Sequence, residues 1–446
     1  STFQAVTGTT GTFSADVTVN SVNIGKGANS VAGNTVVGES ALDSITTGGN
    51  NTAVGVQALD ANTTASNNTA VGYEALEANT TASEHVAIGS RTLKTNTTGA
   101  DNTAVGFSAL ELNTTGSYNT ALGGMALEAN TTSSNNTAIG YNALNSNTIG
   151  TPNTAVGAFA LDKNTTGTHN TAMGYFSSQA ITTGTKNTSV GGHSLDVLTT
   201  GSYNTAIGQD ALGGVVTGDY NTAVGQNALA ANTVSDNTAV GANALQTNTT
   251  GTLNTAVGKN CLSTNSTGSD NTAVGSNALD ANTTGNDNVA IGKNALGAQT
   301  TASQNIAIGD NALVSSQTGS TALAIGYAAA DAWVGSYSIL AIGHNALTAC
   351  TTGVNNTAVG RDSLAALTTS SENTAIGNKT MQASTTAANC TAVGSNALYT
   401  NTTGSNNSAV GKNALYANTT GTSNVAVGVN ALDANTTADN NTAVGT

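Results

Sequence analysis

Four histidines and three cysteines are the side chains here best suited to nucleophilic, acid–base or metal chemistry. Their spacing argues against all three. His85, His169, His193 and His344 fall at four different positions of a sequence repeat and are spread along the chain. A catalytic centre needs unlike groups converging on one point, whereas a repeat supplies like groups in columns. Cys261, Cys350 and Cys390 form no CxxC pair and no zinc-ligand spacing, and each takes a different repeat position. They read as small apolar residues standing in for others. No active site, no metal site and no cofactor are expected.

Carboxylates do form a pattern. Five residues after a recurrent glycine stand Asp43, Asp60, Glu77, Glu111, Glu128, Asp162, Asp196, Asp280, Asp331 and Asp433, ten of the 24 acidic residues. Stacked ~5 Å apart they would repel, and divalent cations could relieve them. A solvated stripe that keeps the protein soluble and blocks sideways association explains the column more simply. Aromatic residues recur as well. Directly after the same glycine, at every second occurrence, stand Tyr73, Phe107, Tyr141 and Tyr175. Rings spaced about 10 Å apart on a surface suit contact with a glycan; chance exposure or packing against a second chain would give the same pattern.

The element that must position these columns is set by the glycine itself. From Gly38 to Gly445 it occurs 25 times, with 23 intervals of 17 residues and one, Gly225 to Gly241, of 16. Gly55, Gly72, Gly89 and Gly106 open the regular series. So strict a period marks a solenoid, and 17 residues are too few for a pair of packed helices. The sequence predicts an all-β fold: a parallel β-solenoid, or β-roll, with one coil per repeat and about 25 coils. At ~4.8 Å per coil the stack would be roughly 120 Å long. Residues 1–20 read as a leading β segment and 21–446 as the repeat shaft.

Composition agrees. Charged residues are 8%, aromatics 4% and proline occurs once, while apolar residues reach 38%, which does not match ordinary disorder. A net charge of −14 with ten Lys and Arg argues against a nucleic-acid partner. No apolar run approaches the ~20 residues of a membrane helix, so no membrane insertion is expected. The chain opens STFQAVTG, without the basic and apolar regions of a signal peptide, which suggests a processed or excised fragment or another export route.

Within a coil, strand alternation places the residue before the glycine (Val54, Val71, Ile88) on the same face as the residue three before it (Thr52, Thr69, Val86). Exchange of Thr with Val, Ile and Leu at the latter predicts that this face is buried. The intervening Ala53, Ala70 and Ala87 then face a closely packed neighbour, and a slender core would gain from a homotrimer covering that alanine face. Leu59 and Leu76 are expected to form the second wall of the core, and Asn62, Asn79 and Asn113 an inward ladder of amides at an Asn-Thr-Thr-Gly corner. Ice binding would want Thr-x-Thr on one strand face; Thr63 and Thr64 are adjacent and Thr69 is expected to be buried, so it is set aside. The N-x-[ST] sequons follow the repeat and read as turn chemistry.

The coils Val86-Ala87-Ile88-Gly89, Val289-Ala290-Ile291-Gly292 and Ile306-Ala307-Ile308-Gly309 resemble the head repeats of trimeric autotransporter adhesins. That resemblance implies a left-handed parallel β-roll in each of three chains, although the period here is longer and the family's neck, stalk and membrane-anchor barrel find no match. The longer pattern NTAVGxxALxxNTTGxx, led in by Gly11 to Asn20, resembles repeat arrays of bacteriophage tail-fibre and appendage proteins. It implies a homotrimeric fibre shaft on a virion surface or outside the cell, acting as a spacer and in host attachment, with partners that are other copies of itself and a host glycan or protein. A bacterial adhesin head or a self-assembling extracellular filament is the alternative.

Overall fold

The computed structural model describes residues 16–335 and 338–446. Most of the leading segment expected over residues 1–20 therefore lies outside the described residues. What is described of it is a hairpin: β1 (Val17–Val19) pairs antiparallel with β2 (Val22–Gly25) across Asn20 and Ser21, whose φ values of 48° and 67° suit a tight hairpin turn. The Asp16 carboxylate accepts the backbone N–H groups of Lys26 at 2.7 Å and Gly27 at 2.6 Å. Strand β2 pairs antiparallel with β3 (Thr35–Gly38), and from there the pairing turns parallel.

Contacts divide the chain into two units, Ser1–Asp210 and Ala211–Thr446. In the first, three-residue strands run from β4 (Thr52–Val54) and β5 (Thr69–Val71) to β13 (Thr205–Ile207). Successive strands within the unit pair in register one repeat apart, Thr52 to Thr69 and Ala53 to Ala70. The second unit repeats this from β14 (Thr222–Val224) to β27 (Thr442–Val444). Both units are parallel β-solenoids, with about 24 coils in all, as the period predicts. Only one side of each coil is strand. The rest is a succession of tight turns joined coil to coil by backbone hydrogen bonds, such as Leu59 N–H to Ala75 O at 3.0 Å and Thr63 N–H to Thr80 O at 3.0 Å.

The anchor glycine is required by space as well as by conformation. Gly72 has φ +144°, and a Cβ there would lie 2.2 Å from the carbonyl oxygen of Gly89 in the next coil. Two non-glycine residues follow in left-handed conformation, for example Glu74 (φ 55°) and Leu76 (φ 52°), and wind the chain back toward the interior. That conformation is uncommon for a residue as bulky as leucine. Burial of the whole Leu76 side chain offsets its cost.

The interior reverses one expectation. Ala53, Ala70 and Ala87 are fully buried and point into the coil, while Thr69 and Val71 point out. Alternation holds, but the inner face is the alanine face. The space between strand and opposite wall is already filled by Leu59, Leu76 and their equivalents and by asparagines, leaving room for a methyl group only. Exchange of Thr with Val and Ile then reflects the preference of a pleated outer surface for β-branched residues.

Most of the buried polar side chains are amides. The corner asparagines form the expected ladder: Asn113 Nδ2 donates to Asn96 Oδ1 at 2.8 Å and to Gly116 O at 2.9 Å, and Asn130 repeats the pattern one coil on. A second, unexpected ladder lies just before the strand. Asn102 Oδ1 accepts the backbone N–H of Asn119 at 2.9 Å, while Asn102 Nδ2 donates to Gly116 O at 2.8 Å. The short 16-residue coil loses its residue at the corner, where Val234 O takes both amides, from Asn232 at 2.7 Å and Asn221 at 2.8 Å. Strand register, Thr222 opposite Thr238, is kept.

Candidate functional site

With the interior occupied by structural groups, the surfaces left for function are the outward columns. The strand face carries two. The residue before the anchor glycine is aliphatic or methionine in every coil, yet Ile88, Ile139, Met173, Ile207 and Ile291 are each about 40% exposed. The Thr column stands beside it. Over four successive coils both columns are aliphatic: Val289 with Ile291, Ile306 with Ile308, Leu323 with Ile325, Leu340 with Ile342. Each unit therefore presents a continuous apolar stripe along the sheet, on the face opposite the one expected to meet a partner.

The second surface is the edge just past the glycine, where the chain leaves the strand. The expected contact residues Tyr73, Phe107, Tyr141 and Tyr175 are all here and about half exposed. Tyr73 and Phe107 stand outside the cluster that the other two join. Phe159 bridges Tyr141 and Tyr175, with ring centroids 5.4 Å and 6.4 Å away. Phe176 stacks on Phe159 at 4.9 Å and His193 on Phe176 at 5.4 Å. Phe159, Phe176 and His193 belong to the next column along, which sequence reasoning passed over. Its signal was present, since two adjacent columns are variable and aromatic over the same coils.

The acidic column runs beside this edge: Lys94 Nζ lies 2.6 Å from Glu74 and 3.6 Å from Glu77. Burial holds the carboxyls of Asp162, Asp196 and Asp280 above the usual carboxylate range. Burial does the same for Asp60, helped by its neighbours Asp43 and Glu77. The stripe is broken by side chains that relieve it, as where Asn145 Nδ2 donates to Glu128 at 2.8 Å. Among the described residues no group of three or more His, Cys, Asp or Glu is placed to hold a metal ion.

The histidines are dispersed. His85 is buried in the second asparagine ladder, His169 accompanies a turn, His193 lies 3.5 Å from Asp196, and His344 stacks on Tyr327 at 5.1 Å. The cysteines are free and buried. Two of them replace an asparagine as donor as well as filler: Cys390 Sγ meets Gly404 O at 3.3 Å and Cys350 Sγ meets Gly353 O at 3.6 Å, the carbonyls an asparagine would reach. Burial pushes the thiols of Cys261 and Cys350 up to about 12 and about 11, so neither is a thiolate at neutral pH.

Compared with known proteins, the chain matches no protein-family model and shows no significant similarity to a curated protein.

Proposed function

We propose that this chain is the repeat shaft of a homotrimeric extracellular fibre, a tail fibre or other virion appendage that acts as a spacer and in attachment to a host surface. One observation carries the proposal: an apolar column runs along the outer strand face without a polar exception. Single exposed apolar side chains are ordinary, but a contiguous stripe marks a surface that another molecule covers. A stripe only two side chains wide suits several copies packed around a common axis. The resemblance to trimeric adhesin heads and phage appendage repeats supports three copies and a setting outside the cell; a bacterial adhesin head or filament is the alternative setting. Sedimentation equilibrium of the full chain is expected to give three times the chain mass. Ile291→Asp with Ile308→Asp is expected to yield monomers that keep the β circular-dichroism signal. A monomeric parent chain would overturn the proposal.

A second reading uses the same face. With Thr69 outward beside Val71, Thr-x-Val pairs repeat coil after coil, so the burial argument against ice binding no longer holds, while the adjacency of Thr63 and Thr64 still does. Against it, the four coils from β18 (Val289–Ile291) to β21 (Leu340–Ile342) carry no hydroxyl on that face. Thermal hysteresis in a nanolitre osmometer would favour ice binding over a covered interface.

A further inference from the structure

We infer that the aromatic edge of the first unit is a binding site for a neutral, extended polysaccharide, the β-1,4-linked chain being the form that fits. Tyr141 and Tyr175 are about half exposed and stand on alternate coils, roughly 10 Å apart at the usual strand spacing. Phe159 fills the coil between them from the adjacent column, and Phe176 and His193 extend the row. Phe159, Phe176 and His193 stack on one another, and the rings of Tyr141 and Tyr175 stand at 83° and 78° to Phe159, so the two half-exposed tyrosines supply the ring surface and the stacked rings hold them in place. An extended β-1,4-linked chain turns the same sugar face outward once per disaccharide, a similar distance, and the C–H groups of that face pack on aromatic rings.

The surroundings select among occupants. Polar groups line the row: His193 Nδ1 lies 3.5 Å from Asp196, and Asn145 bridges Met125 O at 3.0 Å and Glu128 at 2.8 Å. Amides and carboxylates beside ring faces are what hydroxyl-rich ligands need for orientation. Glu128, Asp162 and Asp196 flank the rings, with Lys163 offsetting one of them, so the local charge disfavours acidic glycans, nucleic acid and anionic lipid. A second copy of this chain is the poorer fit. The cluster spans the coils from Tyr141 to His193, whereas in the second unit the first column past the glycine is mixed, with the Tyr327–His344 pair set among Lys259, Lys293, Arg361 and Lys412. A surface for packing copies in register would continue from coil to coil, as the strand-face stripe does.

The site deepens the attachment half of the reading above and rests on it for its biological meaning, but it occupies a different surface. The test is calorimetric titration of the full chain with neutral β-1,4-linked hexasaccharides of glucose, mannose and N-acetylglucosamine, and in parallel with an anionic hyaluronan hexasaccharide. Binding of at least one neutral sugar is expected. Tyr141→Ala with Tyr175→Ala should weaken it about tenfold or more, as should Phe159→Ala. Tyr118→Ala, an exposed tyrosine of another column, should leave it unchanged. No binding to any neutral sugar, tighter binding to hyaluronan, or unchanged affinity in the Tyr141/Tyr175 variant would each overturn the assignment. Sedimentation of the same samples separates the two proposals: a trimer that binds no sugar leaves the shaft standing, and a monomer that binds sugar leaves the site standing.

Discussion

At the scale of single residues, His85 has the most distinctive chemistry. It takes the place of an asparagine in the ladder before the strand, with its backbone N–H donating to Asn68 Oδ1 at 3.0 Å and its Nδ1 accepting the backbone N–H of Asn102 at 3.2 Å. With Nδ1 accepting, the neutral ring carries its proton on Nε2, and a second proton would meet an N–H head-on. Burial is the main cause that lowers its pKa from 6.5 to about 4. The folded state therefore binds fewer protons than the unfolded chain between those values, and stability falls as pH drops below 6.5 toward 4. The loss should reach about 3 kcal/mol. His85→Asn restores the ordinary residue of the column. Urea denaturation from pH 7 to pH 4 should show the parent losing more stability than this variant, and parallel losses would refute the assignment.

At the scale of an element, the corner ladder works only as a run. Asn164 Oδ1 is buried without a hydrogen-bond partner, because the next coil presents Ile181 where an amide would donate. Ser316 Oγ, Trp333 Nε1 and Ser384 Oγ are likewise unpartnered where the second unit departs from asparagine. Apolar substitutions accordingly come grouped, Ile181, Leu198 and Val215 in successive coils. Replacing one rung within a run leaves unsatisfied groups on both sides. Asn113→Ala removes the bonds to Asn96 and Gly116 and strands the amide of Asn130. It should cost about 2–4 kcal/mol, whereas Thr115→Ala, at an exposed position of the same corner, should stay within about 0.5 kcal/mol. Chemical denaturation of the two variants measures the difference.

At the scale of the whole molecule, stability is a sum over neighbouring coils plus whatever covers the apolar stripe. If three copies share that stripe, folding is linked to association by mass action. Melting followed by circular dichroism should then shift upward as chain concentration rises over two decades, and the shift should vanish in the Ile291→Asp/Ile308→Asp variant. A melting temperature independent of concentration in the parent would count against the covered stripe.

Much of this architecture was legible in the sequence. The glycine interval determined the coil, because only a residue without Cβ tolerates the next coil's carbonyl at that distance. Leu76 and the corner asparagines declared themselves as interior by recurring at fixed places in it. The second ladder was harder to see, since Asn68 sits in a run of polar residues that reads equally well as a surface turn. Left-handed leucines could not be read at all, because burial alone makes that conformation affordable. Alternation along Thr69-Ala70-Val71 established which side chains share a face, and tertiary structure alone decided which face is inside. The reason is width: once leucine and two amides fill the coil, only alanine fits against them, and the larger side chains must stand outside.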